Sequence, residues 1–286
     1  MKNIIYFFQF IIIIFSFLLF KILRFKLSSA IGGKIFEIIG PIFRSNILIN
    51  KNIKKAFPNL SEKNLEQIKS KMWNNYGRTF AEYMFIKNFR KHYNHPNITI
   101  EGKEELDKIK KNNLPVIFIS GHFANFELMA MSIEKLGINL CTIYRPLNNK
   151  FLNIIMENIR KNFICKKQIK KGISGIREII KLRKKNFSIA LMIDQRVSEG
   201  IKVNFFSEKA STTTIPAQLV KKFNMPVVPV FIERFENINF KINFHKPIYF
   251  NNNETTENIT IKLNKILEKM VLQRPEQWIW THNRWK

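Results

Sequence analysis

Residues 115–127 read PVIFISGHFANFE and hold the pairing best suited to proton transfer. An apolar run ends in Ser120-Gly121, His122 follows, and Glu127 stands five residues later. In one regular helix, positions i and i+5 diverge by about 140°, at 3.6 residues per turn. Across a junction from loop to helix, the chain can turn back and bring the carboxylate to the imidazole. There Glu127 would fix the tautomer of His122 and stabilise its charged form. His122 would then act as general base toward a hydroxyl. A lone His in such a loop is often structural; the carboxylate, the glycine and the strand ahead of it favour chemistry. Asn125 is placed to start the helix that carries Glu127 and to reach a bound substrate.

Two further segments end apolar runs in charge. Tyr144-Arg145-Pro146 closes one and Asp194-Gln195-Arg196 another. On a shared sheet edge, Arg145 and Arg196 would face an anionic substrate or a developing oxyanion. Asp194 would orient either guanidinium or hold the acceptor. The familiar alternatives are missing: no HExxH, no GxSxG and no phosphate-binding Gly-rich loop. His92 and His95 have no supporting Cys or helical spacing, so they read as loop residues and not as metal ligands. Two Cys, at 141 and 165, exclude a disulfide scaffold. No metal or cofactor is expected. An acyl transfer would therefore pass directly from a thioester to a hydroxyl, with no acyl-Ser intermediate.

These residues need a scaffold that gathers strand ends. Residues 98–100, 116–119, 140–144, 188–193, 227–232 and 240–244 read as strands. Helical patterns fill 103–112, 126–136, 149–162, 174–185, 215–223 and 256–272. That alternation predicts an α/β fold with a mainly parallel central sheet flanked by helices, whose sites lie at the carboxyl ends of the strands. Residues 61–90 read as helix, with Met72, Tyr76, Phe80, Tyr83 and Met84 on an apolar face.

The chain begins differently. Residues 4–20, IIYFFQFIIIIFSFLLF, carry no charge, and about 20 apolar residues cross a bilayer. The segment reads as a single anchor, spanning or deeply embedded, against a signal peptide or a buried core helix. Lys21, Arg24, Lys26 and Lys34 follow it, which places the body on the cytoplasmic side. The chain divides into an anchor, 1–27, and a domain, 28–286, whose 28–95 part is helical and membrane-proximal. Residues 28–50 suit an amphipathic helix on anionic lipid or an ordinary packed helix.

Forty-eight Lys+Arg against 21 Asp+Glu give 286 residues a net charge of +27. Such a charge points to anionic partners, and part of it is a solvated face of the kind AT-rich coding produces. It permits a basic, membrane-tethered binding protein. The anchor and the absence of a reader motif argue against nucleic acid. Residues 160–185 hold eleven cations and one acid, Glu178, a candidate docking surface or a solvated helix.

NIKKAFPNLSEKNLEQI (52–68), GHFANFE (121–127), YRP (144–146), DQR (194–196), VNFFSEKASTTT (203–214) and RPEQWIWTHNRWK (274–286) occur in an order and spacing that resemble the lipid A biosynthesis acyltransferases. These are the late, lauroyl/myristoyl-type enzymes of Gram-negative bacteria. The HxxxxE box alone is shared with glycerolipid acyltransferases; the closing segment is more specific. The resemblance implies a glycerolipid-acyltransferase-like domain at the inner membrane, with His122 as general base and Glu127 as its partner. It implies an acyl-carrier-protein thioester as donor and an anionic lipid A precursor as acceptor, a hydroxyl of which is acylated in lipopolysaccharide biosynthesis. A glycerolipid or glycolipid O-acyltransferase with the same dyad is the alternative enzyme. Ser207 departs from the family, which usually has Gly after the Phe-Phe pair. Arg274, Trp278, Trp280, His282, Arg284 and Trp285 suit either a headgroup-level surface or C-terminal packing.

Overall fold

Two apolar helices open the chain in the computed structural model, which describes residues 2–92 and 94–286. Helix α1 covers Lys2–Ile22 and α2 covers Arg24–Phe43. The break between them falls at residues 23–24, where Arg24 takes a left-handed φ of 63°. Helix α1 lies against the body along much of its length. The Tyr6 carbonyl accepts from Asn149 Nδ2 at 2.8 Å, and the Phe7 ring sits 5.7 Å from Phe151. Phe17 packs on Phe80 at 5.0 Å. These contacts span about 17 Å of helix axis at 1.5 Å per residue. Phe20 is buried too and Ile13 and Ile14 pack partly against the core, whereas Phe8, Ile12 and Phe15 are exposed. So are Leu27, Ile31, Ile35, Ile38 and Ile42 of α2, which follow a helical stripe.

Helices α3 (Asn46–Ala56), α4 (Glu62–Glu82) and α5 (Ile86–Lys91) complete the N-terminal layer, with a short 3₁₀ turn at Tyr83–Phe85. Ser61 caps α4 by accepting from the Asn64 amide. Helices α2 and α4 approach backbone to backbone. A β-carbon on Gly77 would sit 2.0 Å from the Gly32 carbonyl oxygen, so only glycine admits this crossing.

The strands are β1 (Ile98–Glu101), β2 (Ile117–Ser120), β3 (Leu140–Tyr144), β4 (Lys167–Lys170), β5 (Ser188–Met192), β6 (Ile201–Phe205), β7 (Glu208–Thr212), β8 (Val227–Phe235) and β9 (Asn239–Phe244). The helices between and after them are α6 (Lys103–Lys111), α7 (Glu127–Lys135), α8 (Lys150–Ile159), α9 (Ile173–Arg183), α10 (Ile215–Phe223) and α11 (Thr256–Gln273). A seven-stranded sheet has the order β1-β9-β8-β2-β5-β3-β4. Strands β8, β2, β5, β3 and β4 run parallel, whereas β9 pairs antiparallel with β8. All four residues of β2 are buried, as expected of a parallel strand covered on both faces.

The expected α/β architecture is thus present as a mostly parallel sheet flanked by helices. Sequence periodicity did not indicate β4 or the β6–β7 hairpin. Strand β4, Lys-Gln-Ile-Lys, buries only Ile169 well, and its lysines mark it as a sheet edge. Helix α8 continues into a π-helical turn at Arg160–Ile164, closed by the Cys165 amide bonding to the Arg160 carbonyl. Such turns re-aim side chains and recur at functional sites.

Candidate active site

His122 follows β2 and Asp194 follows β5, and the two strands are neighbours with Ser120 opposite Met192. Both residues therefore leave the same carboxyl edge. Gly121 lets the chain pass close there, since a β-carbon would meet Phe123, Leu267 and the Asp194 side chain. The Asp194 Oδ1 lies 2.8 Å from His122 Nδ1. Its Oδ2 accepts from the His122 backbone N–H at 2.8 Å and from Trp278 Nε1 at 2.9 Å.

Burial opposes charge on Asp194, but the imidazole and these donors outweigh it and hold the carboxyl down to about 2. Burial alone would depress the His122 pKa. The charge and hydrogen bond of Asp194, with a smaller pull from Glu127, outweigh that and hold it above the ordinary histidine value. An ionised carboxylate can only accept, so Nδ1 carries the proton and Nε2 is left as the basic nitrogen. The His122 side chain is 18% exposed and that of Asp194 only 2%. His122 faces a cavity while Asp194 stands behind it.

Glu127 occupies a different place from the one its spacing suggests. It is the first residue of α7, and the Phe126 ring packs 4.7 Å from the imidazole. The carboxylate turns toward the π-helical turn instead. Its Oε1 accepts from Arg160 Nε at 2.9 Å, from Arg160 Nη2 at 2.7 Å and from the Tyr83 hydroxyl. The hydrogen bond that orients His122 comes from Asp194. Glu127 keeps an electrostatic hold on the imidazole and lines the same cavity. Burial and the Glu127 carboxylate push the Tyr83 phenol far up, so it stays a neutral donor.

Asn125 is likewise drawn inward. It is fully buried, its Nδ2 donates to Glu82 Oε2 at 3.1 Å, and it is not part of the cavity wall. The attraction is the interior Glu82–Arg234 ion pair. The loop between Asn125 and His122 is held by Thr79 Oγ1 donating to the Ala124 carbonyl and by the Ala124 amide donating to that of Gln277. Ala124 has a φ of 42°, a conformation costly to a residue with a β-carbon and kept here by these bonds.

The cavity has a volume of about 420 Å³. Phe118, Ala190, Thr142 and Gln168 stand in register across β2, β5, β3 and β4 and form its floor. Met129, Ala130 and Ile133 of α7 form the facing wall. The small Ala190 and Thr142 leave room in the middle of that row. The polar end gathers His122, Glu127, Arg160 and His282, with Arg145, Lys171 and Arg196 toward solvent. Arg145 and Arg196 are exposed and make no ion pair among the described residues. The Arg196 amide donates to His282 Nε2 at 2.9 Å, and burial lowers the His282 pKa, so this ring is a neutral acceptor. Such a site is an apolar slot with a basic imidazole nitrogen at its mouth and cations around it.

Four site residues escaped the sequence reading. Arg160 was hidden in the basic run 160–185, Tyr83 among helical core positions, and Trp278 and His282 in the closing segment. That segment is not a headgroup surface: Trp280 and Arg284 are fully buried and Trp278 nearly so. Nor is 160–185 one docking face. Arg160 points into the cavity, Lys171 stands at its rim, and the remaining cations divide between the π-helical turn, β4 with the residue before it, α9 and the turn after α9.

Residues 1–286 match the family of bacterial lipid A biosynthesis acyltransferases. The chain is similar to the lipid A biosynthesis palmitoleoyltransferase of Escherichia coli (strain K12), with 24% identity over 268 residues, 90% of this chain and 84% of that protein. It is 22% identical over 251 residues to the myristoyltransferase of the same organism, 87% of this chain and 76% of that protein. The lauroyltransferase is 22% identical over 245 residues, 84% of this chain and 78% of that protein.

Proposed function

The chain belongs to the bacterial lipid A biosynthesis acyltransferases and is an acyl-group transferase, and we propose that His122 is the general base by which it acylates a hydroxyl of a lipid A precursor. The donor is an acyl-carrier-protein thioester. The observation that carries the reading is His122 Nδ1 lying 2.8 Å from a buried carboxylate, on the wall of an apolar cavity.

The chemistry runs as follows. The donor's chain lies along the cavity floor, with its thioester carbonyl at the polar end. The acceptor hydroxyl gives its proton to His122 Nε2 as its oxygen attacks the carbonyl carbon. Asp194 holds the imidazole and stabilises the imidazolium, and the Glu127 charge adds to that. The Arg160 guanidinium, fixed by Glu127, faces the developing oxyanion. Collapse of the tetrahedral intermediate breaks the C–S bond, and the thiolate takes the proton from His122. Ester and free thiol leave, and no residue is acylated. Arg145 and Arg196 bind the anionic acceptor. Asn125 serves by holding the loop, not by touching substrate.

Helix α1 anchors the enzyme to the inner membrane with the catalytic domain on the cytoplasmic face. Its contacts with Asn149 and Phe151 near one end and Phe80 nearer the other favour a helix embedded in one leaflet over one that crosses both. The exposed stripe of α2 extends the same surface.

The test is turnover by purified protein given acyl-carrier-protein thioester and lipid A precursor. His122→Ala lowers turnover about 10²–10⁴-fold, the usual contribution of general-base catalysis, and leaves the unfolding midpoint in place. Near-normal turnover by this variant would overturn the assignment.

A further inference from the structure

A second apolar groove opens on the other face of the sheet. Its volume is about 330 Å³. Ile143 and Ile169 are paired residues of β3 and β4, one position out of step with the Thr142–Gln168 pair of the first cavity. Alternate strand residues point to opposite faces, so the groove lies between the sheet, α9 and α10. Ile176, Ile179 and Ile215 line it further. None of the catalytic groups does.

The two spaces meet at one rim. Ile143, near the end of β3, and Lys171, Val197, Thr213 and Ile215 line both. The outer lip of the groove is apolar and cationic together. Ile173 is 76% exposed and Ile176 42%. Lys170 and Lys171 stand beside them in long ion pairs, 3.7 Å to Glu157 and 3.9 Å to Glu199. Surface pairs of that length are weak and easily exchanged for another anion.

We propose that this groove holds one acyl chain of the anionic acceptor lipid while the cavity beneath His122 holds the chain of the donor. The inference rests on the acyltransferase reading above and adds a binding site to it. A donor chain must end with its carbonyl beside His122, which only the first cavity allows. A lipid A precursor already carries acyl chains. One that lies in the groove would leave the sheet edge at Lys171 and Val197, from where its headgroup and a neighbouring hydroxyl reach His122 over the shared rim. Lys170 and Lys171 would meet the acceptor's anionic groups as it settles.

Two variants fill the groove from opposite walls, Ile176→Trp on α9 and Gln218→Trp on α10. Both positions are exposed, so the core is untouched. The expected result is an acceptor KM raised about tenfold, equivalent to about 1.4 kcal/mol, with the donor KM unchanged. A raised donor KM with a normal acceptor KM would assign the groove to the donor and overturn the proposal; so would two variants with unaltered kinetics. A second readout needs no turnover. Cys141 and Cys165 are buried, and burial pushes both thiols up to about 12, so they are silent to maleimide. In Gln218→Cys, lipid A precursor in neutral detergent should slow alkylation several-fold relative to detergent alone, and acyl-carrier-protein thioester should not. Absence of protection sinks the groove even if the enzyme acylates lipid A precursor normally. Protection in a protein that acylates no lipid A precursor would sink the catalytic reading and leave the groove standing.

Discussion

Glu82 and Tyr83 are adjacent at the end of α4, yet they serve two different carboxylate sites. On one side Glu82 is fully buried, and both of its oxygens are satisfied. Ser29 and Arg234 donate to Oε1, and Asn125 and Arg234 to Oε2. On the other side Tyr83 donates to Glu127, whose protein partners all converge on Oε1 among the described residues. Both sites are carboxylate–guanidinium pairs. The first is closed on itself and fastens α2, α4, β8 and the loop that carries His122 together. The second leaves one carboxylate oxygen beside a cavity. A saturated pair belongs to the fold, and a half-saturated pair beside a cavity belongs to the site.

The sharpest way to break that contrast is Glu82→Ala. It strands the Arg234 charge in the interior, and breaking one partner of a buried pair costs about 3–5 kcal/mol. Urea unfolding should show that loss, with activity falling as the loop comes loose. A stable Glu82→Ala protein would mean that the two pairs do not differ as described. Asp194→Asn comes next. It removes the charge that holds the His122 pKa up while keeping the shape of the side chain, so turnover should fall about 10²-fold. The sign of its pH effect follows from the direction of that shift. His122 must be neutral to accept a proton, so kcat/KM rises with pH through its raised pKa. Without the Asp194 charge that limb should move to lower pH. A limb that stays in place would mean that Asp194 does not govern the imidazole.

Glu127→Gln is milder. The amide keeps an oxygen for Arg160 and Tyr83 and removes one charge, so stability should hold while kcat falls about tenfold. A kcat loss as deep as that of Asp194→Asn would restore Glu127 to the orienting role that its spacing suggested.

That spacing shows what a linear reading can and cannot find. His122 and Glu127 were legible because a buried strand, a glycine and a helix start frame them in thirteen residues. Six strands and most helices were legible because their apolar periods are strong. Arg145 and Arg196 were legible as strand ends. Asp194 was found, but its partner was not, since nothing local says that β5 lies beside β2 and brings residues 72 positions apart together. Tyr83, Arg160 and Trp278 were invisible for the same reason. Each reaches the site across the chain from an element whose own pattern explains it as core, cation or surface aromatic.

The smallest effect lies away from both carboxylates and calibrates the comparison. Phe206 and Ser207 form the two-residue turn between β6 and β7, with φ values of 50° and 62°. Both are left-handed, as a type I′ hairpin turn requires, and glycine suits the second position best. The turn is kept in place by the Phe206 amide donating to Glu268 Oε1 at 2.7 Å and by Trp285 Nε1 donating to the Phe205 carbonyl at 3.0 Å. Ser207 adopts the strained φ without a side-chain hydrogen bond among the described residues. Ser207→Gly should therefore relieve about 1 kcal/mol of steric strain, less what glycine adds to the freedom of the unfolded chain. The urea midpoint should rise modestly while both KM values and kcat stay put. A fall in stability would mean that the serine supports its turn in a way the backbone angles do not reveal, whereas a change in kcat would show that the hairpin communicates with His122 through Trp278, whose ring packs 5.9 Å from Phe205 while its indole N–H holds Asp194.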